Sequence, residues 1–151
     1  MPVEAQTYST RTSASVDACF DVLTDFEAYP RWSSPIRAAR VLERYSDGLA
    51  RRVAFELDMT LRTIRYTLEY TWFPPRGGRW SMTEGDVASV EGSYEFEPTS
   101  AGTIVTCRQA IDIGFWIPGF LRTALEQRAL RDSVEELCRE AERRARDDTA
   151  P

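Results

Sequence analysis

The chain has 151 residues, 42% of them apolar and 28% charged, values of an ordinary globular protein with enough residues for one core. Its formal net charge of −5 disfavours a nucleic-acid partner held through phosphates. All nineteen basic residues are arginine, and the absence of lysine and histidine excludes a Schiff-base nucleophile, an imidazole base and a histidine-bearing metal site.

Val3 to Thr12 alternates loosely and is rich in threonine and tyrosine, the pattern of a strand. Ser13 to Ser15 break it, and Ser15 can cap a first helix carrying Val16, Cys19, Phe20 and Leu23 at helical spacing. A second short turn over Asp25 to Tyr29 is expected to stop at Pro30, because the residue before a proline leaves the helical region. Strands follow at Ile36–Tyr45 and then through Val53, Phe55, Leu57 and Met59, with a turn at Ser46-Asp47-Gly48 between them.

After a turn near Thr60, the clearest alternation puts Ile64, Tyr66, Leu68, Tyr70 and Trp72 on one face and Thr63, Arg65, Thr67, Glu69 and Thr71 on the other. Pro74 to Gly78 opens a hairpin. Beyond it Trp80, Met82 and Glu84 read as inward, and Val90, Gly92, Tyr94 and Phe96 continue the face after Gly85-Asp86. The last strand, Thr103 to Ile113, holds Val105, Cys107, Gln109, Ile111 and Ile113 in register. Ile117 to Arg146 then forms a long helix with a stripe of Leu130, Val134, Leu137 and Ala141, extended backwards by Gln127 and Thr123. The tail from Asp147 is expected to fray.

These elements predict an α+β fold in one domain: a seven-stranded antiparallel meander, curled by its twist, with the long helix along the concave side. The inward aromatics either fill the interior with the helix or leave a pocket between the two. Cys19, Cys107 and Cys138 show no CxxC spacing and are expected as buried, reduced thiols. No apolar run reaches the roughly 18–20 residues of a membrane span, and the start lacks a signal peptide's apolar core, so a cytoplasmic protein without a transmembrane segment is expected.

The string from Ala18 through Phe20, Val22-Leu23, Asp25-Phe26-Glu27 and Tyr29-Pro30 to Trp32 resembles the START-like, or Bet v 1-like, helix-grip superfamily. Within it the string is similar to the polyketide cyclase/dehydrase and quinone-handling (SRPBCC) branch. Gly102-Thr103 before a strand and Ile117-Pro118 before the last helix are similar too, as is the whole order of elements. The resemblance implies a hydrophobic cavity between sheet and long helix for a lipid, quinone or polyketide-like molecule, without a cofactor.

Its lining would come from Phe55, Leu57, Tyr66, Leu68 and Tyr70, then from Trp80, Met82, Tyr94, Phe96 and Gln109. Phe120, Leu121 and Ala124 would add the helix wall. Trp32 would stand at the mouth, unless it and Tyr29 serve to pin the short helices to the sheet.

Aromatase/cyclase relatives, by the same resemblance, promote aldol closure and dehydration with an arginine and hydroxyl groups in the pocket. Here Arg62 and Arg65 stand only at the start of the best-patterned strand, Arg65 on its opposite face. Tyr66, Tyr70 and Glu84 are the weak catalytic candidates. Glu84 is either a buried acid or base or a solvated residue at a strand end. Gln109, an amide between Cys107 and Ile111, is costly to bury without a partner and is read as meeting a ligand or a tyrosine hydroxyl.

Two functions remain open, a carrier of an apolar small molecule and a polyketide aromatase/cyclase. The missing lysine, histidine and inward arginine favour the carrier. A third, suggested by relatives that act as ribosome-associated toxins, is disfavoured by the net acidity. Oligomeric state is not readable.

Overall fold

The protein was analysed as a computed structural model that describes residues 4–58, 62–114 and 116–149. Val3, Met59 and the turn at Thr60 lie outside the described residues. The elements run β1 (Gln6–Thr12), α1 (Val16–Thr24), a 3₁₀ turn (Phe26–Ala28), α2 (Tyr29–Trp32), β2 (Ile36–Arg44), β3 (Ala50–Asp58), β4 (Thr63–Trp72), β5 (Gly77–Gly85), β6 (Ser89–Thr99), β7 (Gly102–Asp112) and α3 (Gly119–Thr149). All strands join one seven-stranded sheet in the order β1-β7-β6-β5-β4-β3-β2. It is antiparallel throughout, and only the β1–β7 pair is not made by neighbours in sequence.

Local chemistry places most boundaries. Ser15 caps α1 by accepting a 3.1 Å hydrogen bond from the Ala18 amide. Pro30 does not end the helical stretch as expected; it occupies the first turn of α2, where its missing N–H is one that has no intrahelical partner anyway. Gly77 opens β5 at φ +137°, and a Cβ there would lie 1.9 Å from the Tyr94 carbonyl oxygen, so only glycine fits.

A register shift corrects one inward assignment. Leu68 pairs with Met82, but Thr67 pairs with Glu84, so β5 carries an extra residue at Thr83. Cross-strand partners share a face, and the bulge turns Glu84 onto the outer, wet side beside Thr67. Glu84 is accordingly exposed. It is not a buried acid.

The concave face packs on α3 through Leu130, Val134, Leu137 and Ala141, all buried. The predicted stripe therefore holds, but its backward extension does not, because Thr123 and Gln127 are exposed. In the first half of α3 the row that meets the sheet passes instead through Arg122, Leu125, Glu126 and Ala129. Cys19, Cys107 and Cys138 are buried and unpaired with one another.

Candidate ligand site

The inner face of the sheet divides into a packed end and an incompletely covered one. At the packed end Phe26 of the 3₁₀ turn is the hub, its ring 4.9 Å from Tyr70, 5.1 Å from Tyr29 and 6.0 Å from Phe55. A ladder of rings continues across the sheet, Tyr70 to Trp80 at 5.9 Å, Trp80 to Tyr94 at 5.8 Å and Tyr94 to Phe96 at 5.9 Å. Phe55, Leu68, Tyr70, Trp80, Tyr94 and Phe96 are all buried. Here the expected lining is core, filled by rings in edge and tilted contact. Tyr29 belongs to it: its hydroxyl donates to the Leu23 carbonyl, and its ring stands 4.8 Å from that of Trp32. Tyr29 also meets Phe55 of β3 at 6.1 Å and so pins the short helices to the sheet, while Trp32 borders a hollow with Glu136, Arg139 and Glu140 of α3.

Burial raises the hydroxyl pKa of Tyr66, Tyr70 and Tyr94. These phenols therefore stay protonated and act as hydrogen-bond donors rather than bases.

Leu57, Tyr66, Met82, Gln109 and Trp32 are half-buried. At the incompletely covered end an apolar cleft of about 110 Å³ lies between β7 and the first half of α3. Its walls are Ile111, Ile113, Ile117, Leu125, Ala129 and Leu130, and its polar edge is Gln6, Gln109, Arg122 and Glu126. Arg122 Nε donates to Glu126 Oε1 at 3.2 Å, and Gln127 donates to the Gln6 side chain at 3.3 Å.

Register aligns the polar groups. Tyr70, Trp80, Gly92, Gln109 and Gln6 follow one another across β4, β5, β6, β7 and β1, all facing in. A Cβ on Gly92 would lie 2.6 Å from Trp80 Cζ2, so the indole rests over the glycine. Among the described residues, neither Trp80 Nε1 nor Trp32 Nε1, both buried, has a hydrogen-bond partner. An unpaired buried donor costs about 1–3 kcal/mol.

The sequence reading missed Arg122 and Glu126, which the helix turns to the cleft. Conversely Phe120, Leu121 and Ala124, expected in the wall, are exposed. The physical reason is helical phase: their side of α3 faces away when 122, 125, 126 and 129 face the sheet.

The two halves of α3 are held differently. Its second half is tied by Tyr8 to Glu135 at 2.7 Å, the Ser34 amide to Glu136 at 3.0 Å, Thr12 to Glu142, and Arg144 to Asp25 at 3.1 Å. No residue from Gly119 to Ala129 is buried. Among the described residues no helix is long and apolar enough to cross a membrane, and no group of three or more ligating side chains could hold a metal.

A family model described as polyketide cyclase / dehydrase and lipid transport matches residues 12–138. Among curated proteins none matches the chain in sequence. Among solved structures the chain is similar to the Zhui aromatase/cyclase from Streptomyces sp. R1128, at 19% identity over 99% of each chain with a TM-score of 0.83. It is also similar to a START superfamily protein from Mycobacterium smegmatis, at 18% identity over 99% of this chain and 100% of that one, TM-score 0.76. Ara h 8.0201 shares the fold at 9% identity over 92% of this chain and 97% of its own, TM-score 0.68. At these identities the likeness speaks for the helix-grip fold alone.

Proposed function

The chain belongs to the polyketide cyclase / dehydrase and lipid transport family, and on that premise we propose that it binds or carries a hydrophobic small molecule, a lipid, a quinone or a polyketide-like compound. The site is the cleft under the first half of α3. The observation that carries this reading is the contrast along α3, one half locked to the body and the other lying loosely over an apolar cleft. At about 110 Å³ the cleft is smaller than the ~300–1,000 Å³ of a typical ligand site. Entry of a guest therefore requires the loosely held half to move outward, which costs little buried surface. Gln109, at the polar edge of the cleft, offers a donor for a carbonyl or hydroxyl oxygen on an otherwise apolar guest.

Native mass spectrometry of the protein purified from its own host tests this reading. A retained apolar molecule, lost when Ile113→Trp narrows the cleft, is the expected result. Protein that emerges empty, and takes up neither ubiquinone nor oleate added to saturation, overturns it.

A second reading, an aromatase/cyclase, draws support from Arg122 and Glu126 at the cleft edge. Glu126 would take the α-proton of the attacking carbon and return it to the alkoxide that forms when the new carbon–carbon bond closes, and Arg122 would hold that oxyanion in between. Turnover of a poly-β-ketone mimic, lost in Glu126→Gln with binding retained, is its test. The carrier is preferred because the buried tyrosines are donors and Glu84 lies outside.

A further inference from the structure

Exposed aromatics stand just before α3 and in its first turn, where Phe120 lies on the side of the helix turned away from the cleft. Trp116 is 84% exposed and Phe120 82%, with Leu121 beside them at 43%, so three large side chains stand open within six residues. Phe120, Ala124, Arg128 and Arg131 succeed one another at spacings of four, four and three along α3, which places them on one stripe. Arg128 and Arg131 share a single carboxylate, Asp132, at 3.9 and 3.7 Å, and the stripe thus runs from aromatic to cationic.

We propose that this patch docks on the surface of an anionic lipid bilayer. Trp116 and Phe120 enter the boundary between headgroups and acyl chains, where aromatic rings are favoured, and Arg128 and Arg131 extend to phosphate oxygens. The chain's net charge of −5 repels such a surface at a distance. Screening confines that repulsion to roughly 8 Å at physiological salt, so the local arginines decide the contact.

A second copy of the chain fits the patch less well. Three side chains of this size and exposure offer on the order of 500 Å² per copy, and a symmetric pair would bury less than the ~1,600 Å² of a standard interface. The inference goes beyond the ligand reading and stands without it, since it concerns the outer side of the helix.

Flotation of the full chain with vesicles tests the proposal, using equal parts phosphatidylcholine and phosphatidylglycerol against phosphatidylcholine alone. The protein is expected to float with the mixed vesicles, and Trp116→Ala/Phe120→Ala to lose about tenfold or more of the bound fraction. Both residues are exposed, so the double variant should melt like the parent. Arg128→Glu/Arg131→Glu is expected to remove the preference for the anionic lipid. Protein that stays with neither vesicle type, or a double variant that floats as well as the parent, overturns the proposal. A dimer in sedimentation that the double variant dissolves also overturns it, because a second copy would then cover the patch.

Discussion

Replacing Glu140 with glutamine should loosen the anchor on which the two-part behaviour of α3 depends. Glu140 is buried and accepts from Arg143 Nε at 2.9 Å, Arg143 Nη2 at 2.8 Å and Arg144 Nε at 2.8 Å. Arg144 passes the tie on to Asp25 between α1 and the 3₁₀ turn, at 3.1 Å. The hydrogen bonds from Arg143, with those from Arg144, hold the Glu140 carboxyl at a pKa of about 2 against an ordinary 4.5. At about 1.4 kcal/mol per unit that depression is worth roughly 3 kcal/mol, and water screening around the exposed Arg143 reduces it to about 2.

The sign follows from the direction of the shift. The folded pKa is the lower one, so the stabilisation is complete above 4.5 and disappears as the pH falls through about 2. Urea unfolding followed by tryptophan fluorescence should place Glu140→Gln about 2 kcal/mol below the parent at pH 7. At pH 3 the gap should shrink to less than about 1 kcal/mol. An equal gap at both values would mean that the carboxylate's charge is not what holds the helix. No gap at pH 7 would mean that the network contributes nothing to the anchor.

The same division of α3 predicts unequal costs for two leucines of one helix. Leu137→Ala, at a position 1% exposed, should cost about 2–5 kcal/mol by the same unfolding assay, and Leu125→Ala under about 1 kcal/mol; similar costs would mean that the first half of α3 is core. Burial pushes the thiol pKa of Cys19 up to about 11 and those of Cys107 and Cys138 up to about 12. Ellman's reagent at pH 8 should therefore label the folded protein negligibly and all three cysteines in guanidinium, whereas rapid labelling of the folded protein would show an opening that reaches the core.

The fold was legible because its signal is periodic and repeated. Alternation along β4, with Ile64, Leu68 and Tyr70 buried and Arg65 and Thr71 exposed, needs no tertiary knowledge to be seen. The stripe from Leu130 to Ala141 is equally plain. Glu84 was legible as a solvated residue at a strand end, but the face it takes was not. A strand's parity survives only until a residue is inserted, and nothing in Met82-Thr83-Glu84 marks the bulge that the pairing of Thr67 with Glu84 reveals. Pro30 misled in a related way, since the residue that ends one helix is also one that can start the next.

The site was half legible for a reason that lies in α3 itself. Counting back from Leu130 by three or four residues reaches either Gln127 and Thr123 or Glu126 and Arg122, and periodicity alone does not choose between them. Hydrophobicity then points the wrong way, because Phe120 and Leu121 look like wall residues while Arg122 and Glu126 look like surface. In the structure the charged pair borders the cleft and the aromatic faces outward. That inversion is hard to reconcile with a helix selected only to seal a core, where exchanging the two sets would bury more apolar surface. It suits a helix with two working faces, one that borders a guest and one that meets an apolar surface. The firmly tied second half then has a role beyond stability: with Glu140 and Arg144 fixed to the body, a displacement of the first half becomes a bend about the region near Leu130 rather than a detachment of the whole helix.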